Sequence, residues 1–302
     1  MPLIRWLLNV EPLWNTPEEF NQALNYLPLP THEHILKYHR LNDQKLALGS
    51  QILQHLIVSR YRHIPFRDVR IVKHFGGITG GRPVFIGNSN GVEGLEYNVS
   101  HHGSVVGIIS RLLPPKDGGG GVDEGGGVGF DILEYEKRPH YVDGTLEGVK
   151  EWAGGFEEAK VFTGREMGVI YAAGAASSGR SEEEKVEGVV KAVHLNWVVK
   201  EAYVKAVGTG LVTDLTAVEF GLVGVGERVE AGQRVGDVEV WIGGREKRRA
   251  GEWYFEVDRV VRDGLEGGYC LAVVTRVEGL EVGDRRGAWE WLEYTADILP
   301  FI

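Results

Sequence analysis

The sequence predicts an α+β fold built from two similar lobes, each with a small antiparallel sheet and a long helix. Apolar runs of strand length and amphipathic stretches of helix length occur in both halves of the 302 residues. A glycine-rich segment, PPKDGGGGVDEGGG at 114–127, interrupts the chain near its middle and has no means of packing a core. We therefore place a boundary at residue 127, with an N-terminal lobe at 1–127 and a C-terminal lobe at 128–302.

The first lobe begins with a predicted strand, RWLLNV at 5–10. The residues TPEE at 16–19 combine an N-cap threonine, a proline at the first helical position and a capping-box glutamate, so a helix begins there. A second helix is predicted from Asp43 to Arg60, where apolar residues recur at helical spacing. Four strand-like runs follow, namely VRIVKHF (69–75), RPVFIG (82–87), LEYNVS (95–100) and VVGIIS (105–110).

The second lobe opens with a predicted strand, VGFDILEY at 128–135, and continues into a helical region that several glycines weaken. The polar segment SSGRSEEEKVEG at 177–188 is interpreted as an exposed connection. An amphipathic helix at 191–207 then ends at the glycines of a Gly-x-Gly turn. Three strand-like runs complete the lobe, namely DVEVWI (237–242), WYFEV (253–257) and YCLAVVTRV (269–277).

Composition excludes several classes of partner. The net charge is −10, with 43 acids against 33 lysines and arginines, and no basic stripe indicates a nucleic-acid partner. No apolar run reaches the roughly 18 residues of a membrane span. The first residues contain an acid and two prolines and do not resemble a signal peptide, so a cytoplasmic protein is predicted. The single Cys270 cannot form an internal disulfide and is predicted to be a buried strand residue.

The segment at 191–211, KAVHLNWVVKEAYVKAVGTGL, is the most informative stretch of the chain. Trp197, Glu201 and Lys205 are spaced four apart and therefore share one face of the helix. On its own, the pattern fits a buried tryptophan beside a surface Glu–Lys ion pair, which is common on helices.

Three other segments hold residues that could take part in binding or catalysis. Each of them also has a purely structural interpretation. Asp131 lies between apolar residues in a strand, where it either meets a cation or a metal, or points to water. Ser100 and His101 lie at the junction of two strands, where a turn can hold a phosphate or be a simple hairpin corner. Arg82 and Pro83 form a cationic loop that either binds a phosphate or is a solvated turn. No zinc-binding spacing is present.

Five motifs, taken in order, resemble the Sfp-type 4′-phosphopantetheinyl transferases, particularly the larger eukaryotic, fungal-like members. They are GRPVF (81–85), YNVSHHG (97–103), GFDI (129–132), FTGRE (162–166) and NWVVKEAYVKAVGTGL (196–211). The last motif follows the family signature W-x-x-K-E-[AS]-[YF]-x-K-x-x-G-x-G-[LF] throughout. The resemblance extends from about residue 5 to about residue 275.

The resemblance implies two lobes related by a pseudo-twofold, with the active site in the cleft between them. It implies transfer of the phosphopantetheine arm of coenzyme A to a serine of an apo acyl or peptidyl carrier domain, with release of 3′,5′-ADP. Mg²⁺ is the implied cofactor, with Mn²⁺ as an alternative, and a monomer is expected. The carriers could belong to fatty acid, polyketide, nonribosomal peptide or lysine biosynthesis, and the sequence does not choose among them.

The resemblance also implies roles for single residues. Asp131 and Glu201 match the metal-binding acids, Lys205 matches a catalytic lysine that contacts the phosphates, and Lys200 matches the lysine beside the metal acid. The residues implied for the nucleotide are Lys37, Arg40, Lys45, Arg82, Pro83, Ser100 and His101.

One position departs from the pattern of the family. Many bacterial members carry a second acid two residues after the strand aspartate, where this chain has Leu133. We therefore expect two protein carboxylates on Mg²⁺, with pyrophosphate oxygens and water completing its octahedron. The base for the serine proton is either Glu166, which matches an acid proposed for that role, or Glu201, acting directly or through a water.

Two other functions stay open from the sequence. One is a non-catalytic module that binds coenzyme A or a carrier protein, in which Leu133 reflects lost metal binding. The other is an unrelated metal-dependent phosphodiesterase, which would hydrolyse coenzyme A without a carrier.

Overall fold

The computed structural model describes most of the chain as two compact units. The described residues are 3–74, 82–85, 95–112, 127–175, 181–208, 210, 214–236, 238–242, 245–247, 253–265, 267–277 and 287–302. The first unit comprises residues 1–130 and 279–302, and the second comprises residues 131–278. The glycine-rich segment at 114–127 lies outside the described residues, apart from Gly127.

Helices and small sheets alternate along the chain, which confirms the predicted α+β class. The elements of the first half are β1 (Ile4–Asn9), α1 (Pro17–Leu24), α2 (Leu29–Leu36), α3 (Leu41–Arg62), β2 (Ile71–His74), β3 (Arg82–Phe85), β4 (Leu95–His102) and β5 (Val105–Leu112). Those that follow are β6 (Gly129–Glu134), α4 (Leu146–Glu158), α5 (Gly164–Ala175), α6 (Glu182–Val207), β7 (Val218–Gly221), α7 (Val225–Glu230), β8 (Glu239–Ile242), β9 (Arg245–Lys247), β10 (Trp253–Val260), β11 (Tyr269–Arg276) and β12 (Glu290–Trp291). Among the described residues, no helix is both long enough and apolar enough to cross a bilayer.

The first unit is organised around a four-stranded sheet in the order β12-β1-β5-β4. β5 pairs antiparallel with both β1 and β4, placing Gly107 opposite Leu7 and Ser100. A Cβ built on Gly107 would lie 2.6 Å from the ring of Phe130, so this strand position requires glycine for close packing. The long helix α3 buries its apolar residues in the same core as β1 and β5.

The C-terminal segment 287–302 belongs to the first unit, whereas the sequence-based division assigned it to the second half. β12 pairs in parallel with β1, and the Trp6 indole donates a 3.0 Å hydrogen bond to Glu290. Leu292 and Ile298 are 2% and 0% exposed within the core of this unit. The segment thereby covers an edge of the sheet that would otherwise present unpaired backbone groups. A two-residue strand is too short for sequence periodicity to reveal it.

The second unit holds two three-stranded sheets, in the orders β10-β11-β6 and β7-β8-β9. α6 packs on β11, and α4 and α5 pack on α6. Cys270 is a free thiol, fully buried in β11, which confirms its prediction as a buried strand residue. Burial raises the pKa of this thiol, so it stays protonated.

Helix α6 begins at Glu182, nine residues before the predicted start at 191. Its N-cap is Ser181, whose hydroxyl accepts from the Glu184 amide while the Glu184 carboxylate accepts from the Ser181 amide. The prediction of an exposed connection was therefore wrong for 182–188, where this capping box starts the helix. Gly208 ends it in the left-handed conformation at φ +80°, as the Gly-x-Gly motif predicts.

We predict that the C-terminal segment stabilises the first unit through its buried leucine. Leu292→Ala should lower the free energy of unfolding by about 2–4 kcal/mol, because it leaves a cavity against β1. The measurement is denaturant unfolding, and Thr295→Ala, at an exposed position of the same segment, is the matched control. Equal stability of the two variants would show that the segment packs too loosely to matter.

We also predict that His55 makes the first unit sensitive to acid. His55 is 2% exposed on α3, its Nδ1 donates to the Gln51 carbonyl, and burial lowers the pKa of its ring from 6.5 to about 4. Below pH 6.5 the unfolded chain therefore binds a proton that the folded chain excludes. Stability is full above that pH and falls, by about 3 kcal/mol from this group, as the pH drops to 4.

The test compares unfolding free energies of the wild type and His55→Gln between pH 7 and pH 4. The difference between the two proteins isolates His55 from the carboxylates that titrate in the same range. Parallel curves for the two proteins would contradict the assignment.

Candidate active site

Asp131, Glu201 and Lys205 form a polar cluster in the second unit. Asp131 lies on β6 and is 7% exposed, whereas Glu201 and Lys205 lie on α6 and are partly exposed. The Lys205 ammonium donates a 2.6 Å hydrogen bond to Asp131 Oδ1. The pKa of Glu201 is raised, first by burial and then by the Asp131 carboxylate, while Lys205 opposes the shift. The two carboxylates are therefore close enough to repel each other.

The donor set of this cluster suits a hard divalent cation. Two carboxylates that repel each other are relieved by a shared positive ion, and Mg²⁺ prefers oxygen ligands. Within the described part of the chain, no group of three or more His, Cys, Asp or Glu residues could hold a metal. A metal bound here would therefore need further oxygens from a ligand or from water.

Leu133, which departs from the pattern of the resembled family, is an apolar packing residue. It is partly buried against the core of the second unit, as are Tyr203 and Val207. Trp197 is also a packing residue, but its ring contacts Phe156 of α4, with centroids 5.6 Å apart. Trp197 is partly buried and packs between helices α4 and α6.

Glu166 and Lys200 form a second, fully buried pair, with side chains 0% and 1% exposed and Nζ 2.9 Å from Oε2. Lys200 also donates to the carbonyl oxygens of Leu215 and Val218, at 2.7 and 2.9 Å. These three bonds use every N–H that an ammonium group has. Burial lowers the pKa of Lys200, and the Glu166 carboxylate opposes that effect.

Both oxygens of the Glu166 carboxylate also accept hydrogen bonds from backbone amides. Its Oε1 accepts from the Phe220 amide at 3.1 Å, and its Oε2 accepts from the Thr163 amide at 2.9 Å at the start of α5. A general base must reach the hydroxyl it deprotonates, directly or through one water. In this structure the Glu166 carboxylate and the Lys200 ammonium are both buried and bound by protein groups, and the pair ties α5, α6 and residues 215–220 together.

The residues expected to bind the nucleotide lie in the first unit. Ser100 and His101 lie within β4, opposite Gly107 and Val106, and the strand continues to His102. The turn itself begins at Gly103, which has φ +59°. The prediction that Ser100 and His101 lie at the turn was therefore wrong by two or three residues. Ser100 is buried and His101 is exposed.

The basic residues of this set differ in their surroundings. Lys37 and Arg40 are exposed and flank the junction of α2 and α3. Lys45 is 5% exposed, and its ammonium donates to the Glu11 carbonyl at 3.1 Å and to Asn15 Oδ1 at 2.6 Å. Lys45 is thus committed to holding the loop after β1, and burial lowers its pKa.

Two further predicted residues lie on β3, and their side chains fall outside the described residues. Arg82 pairs opposite His74 and Pro83 opposite Lys73 in the two-stranded sheet of β2 and β3. The partners that sequence reasoning missed, such as the Leu215 carbonyl and the Phe220 amide, are backbone groups, for which the sequence carries no signal.

Comparison with known proteins is consistent with the motifs. A family model described as 4′-phosphopantetheinyl transferase, N-terminal, matches residues 13–113. The 4′-phosphopantetheinyl transferase NpgA of Emericella nidulans is 28% identical over 94% of this chain and 85% of its own length. The 4′-phosphopantetheinyl transferase A of Aspergillus fumigatus is 24% identical, again over 94% and 85%.

A human protein is similar over a shorter range. The human L-aminoadipate-semialdehyde dehydrogenase-phosphopantetheinyl transferase is 22% identical over 85% of this chain and 71% of its own length. Together with the five motifs, these matches support the resemblance of the chain to 4′-phosphopantetheinyl transferases of eukaryotic type.

Proposed function

We propose that this chain transfers the 4′-phosphopantetheine group of coenzyme A to a serine of apo acyl or peptidyl carrier domains and releases 3′,5′-ADP. The observation that carries the proposal is the cluster of Asp131, Glu201 and Lys205 on β6 and α6. The cluster combines two carboxylates for a cation with an ammonium for phosphate oxygens, which are the groups that phosphoryl transfer requires.

Asp131 and Glu201 would hold the Mg²⁺ ion, for which Mn²⁺ is an alternative. When bound, the ion supplies charge neutralisation at the pyrophosphate of coenzyme A. Lys205 stays beside Asp131, from which it can contact a phosphate oxygen without leaving its ion pair. Leu133 supplies no ligand, so pyrophosphate oxygens and water complete the coordination.

Glu201 is the preferred base for the serine proton. Of the two acids that the sequence left open, Glu201 has a partly exposed carboxylate, while Glu166 is enclosed by two amides and Lys200. Glu201 could take the proton directly or through one water. Under this proposal Lys200 acts indirectly, because its three hydrogen bonds position the segment of α6 that carries Glu201.

The first unit would bind the nucleotide part of coenzyme A. Ser100 and His101 of β4 and Arg82 and Pro83 of β3 remain the proposed contacts with the 3′-phosphate and its surroundings. Lys37 and Arg40 are exposed and could add contacts, whereas Lys45 would first have to release Glu11 and Asn15. The pseudo-twofold relation of the lobes, and an active site in the cleft between them, remain proposals from the resemblance.

The biological setting is likewise proposed. We infer a cytoplasmic monomer that serves several carrier domains and has neither nucleic acid nor membrane as a partner. Carrier domains of fatty acid, polyketide and nonribosomal peptide synthesis and of lysine biosynthesis are the candidate substrates. The names of the fungal and human relatives support this class of acceptor without choosing among its members.

We predict that transfer depends on Asp131 and Glu201. The assay incubates the protein with coenzyme A, Mg²⁺ and an apo carrier domain, and mass spectrometry records the gain of one phosphopantetheine group. Asp131→Asn and Glu201→Gln should each lower the rate at least about 100-fold with the fold retained, because each removes a ligand or the base. Glu158→Gln, which removes an exposed acid of the same unit, is the control.

The same assay separates the competing functions. Chelation with EDTA should stop transfer, and added Mg²⁺ should restore it. Coenzyme A binding without any gain in carrier mass would instead identify a non-catalytic binding module. Hydrolysis of coenzyme A in the absence of a carrier would identify a phosphodiesterase.

We predict that Glu166 acts on stability rather than as the base. Glu166→Gln leaves the Lys200 ammonium buried without its counter-ion and should lower the free energy of unfolding by about 3–5 kcal/mol. A second change, Lys200→Met, should recover part of that loss by removing the buried charge. The readouts are denaturant unfolding and the pH dependence of kcat for the folded fraction.

The pH profile distinguishes the two roles of Glu166. A Glu166→Gln variant of normal stability that loses the limb of the profile due to the base would show that Glu166 takes the proton. An unchanged profile with reduced stability supports the structural role.

A further inference from the structure

A groove in the second unit lies apart from the proposed catalytic cluster. It is formed by α5, the first half of α6, and the residues of α7 with the turn before it, and it encloses about 670 Å³. This volume falls in the range of small-molecule sites, roughly 300–1,000 Å³. None of the proposed catalytic or nucleotide-binding residues is among those that line it. We call it the α5–α7 groove.

Small side chains leave the groove open and give it an apolar surface. Gly168 and Ala172 of α5 and Ala192 of α6 line it, together with the buried Leu195 and Leu222. A Cβ built on Gly168 would meet no atom within 4 Å, so the space beside this residue is empty. A ligand could therefore lay a hydrocarbon segment along the groove.

The charged residues of the groove are predominantly acidic. Four of the lining residues are glutamates, against two cations, Lys191 and Arg165. Lys191 lies between two of the acids, 2.5 Å from Glu187 and 3.2 Å from Glu230.

The other charges leave this excess uncompensated. The Arg165 guanidinium pairs with Glu219, which is not among the lining residues, and lies over the Trp241 ring. Glu227 makes no ion pair with a lysine or arginine among the described residues. The groove therefore attracts cations and repels anions such as phosphates.

A buried acceptor provides an independent sign of a ligand. Asn196 lines the groove and is 1% exposed, and its Nδ2 donates to the Ala192 carbonyl at 2.8 Å. Its Oδ1 has no hydrogen-bond partner within the described part of the chain. Buried amide oxygens are seldom left unpaired, so this oxygen can accept from a donor outside the protein, either a water or a ligand N–H.

We propose that the α5–α7 groove binds a linear aliphatic polyamine. The methylene segments would lie on the apolar surface, the ammonium groups would pair with the rim glutamates, and an N–H would reach Asn196 Oδ1. Coenzyme A and acidic carrier domains have the wrong charge for this groove. A bare metal ion is disfavoured, because the groove is wide and partly apolar and no cluster of three metal-ligating residues occurs among the described residues.

The test uses spermidine as the probe and isothermal titration calorimetry at low ionic strength as the measurement. The wild-type protein should bind one spermidine saturably. Gly168→Leu should weaken binding at least about tenfold by filling the groove. The variant should fold normally, because leucine is a better helix former than glycine. Glu158→Gln, which removes an acid of the same unit outside the groove, should bind like the wild type.

Asn196→Leu tests the buried acceptor without changing any charge. We expect weaker spermidine binding with the melting temperature of the free protein maintained or raised, because the unpaired oxygen is removed. An unaltered affinity in this variant and in Gly168→Leu would attribute any binding to the general acidic surface and overturn the proposal. Absence of saturable binding to the wild type would also overturn it.

Discussion

The buried ion pair of Glu166 and Lys200 is the interaction on which the candidate active site depends. Lys200 precedes Glu201 in α6, and its ammonium is bound by one carboxylate and two backbone carbonyls. The Glu166 carboxylate accepts hydrogen bonds from backbone amides at the start of α5 and in β7. Because every donor and acceptor of the pair is matched, its desolvation is compensated, and the helix face that carries Glu201 and Lys205 is held in one position.

This support allows the proposed metal-binding carboxylates to remain in an unfavourable electrostatic state. Glu201 and Asp131 repel each other, and Lys205 offsets only part of that repulsion. Such a pair is stabilised when a cation arrives, and a rigid framework keeps it from relaxing before then. Neighbouring residues of helix α6 therefore have different roles. Lys200 faces inward and holds the structure, while Glu201 and Lys205 face the polar cluster, although all three belong to one signature motif.

In the first unit, segments from near both ends of the chain also depend on contacts between distant residues. Its sheet is completed by β12, so residues from near both termini share a core with α3. Lys45 ties α3 to the loop after β1 through a carbonyl and an amide oxygen. Several lysines of this protein thus stabilise the fold by binding backbone oxygens. A count of basic residues therefore overestimates the number that can bind a phosphate.

Sequence alone determined the α+β class, the position of α3 to within two residues at each end, the end of α6 and the order of the motifs that carry Asp131, Glu201 and Lys205. These features depend on local periodicity, on caps, or on residue types in a fixed spacing, all of which can be read from neighbouring letters. Only the tertiary structure decided that Glu166 and Lys200 are enclosed, that Lys45 is tethered and that residues 287–302 complete the first sheet. In each of these cases the partner is a backbone group or a side chain distant in the chain. No residue type marks a carbonyl or an amide as a partner, so these contacts appear only once the chain is folded.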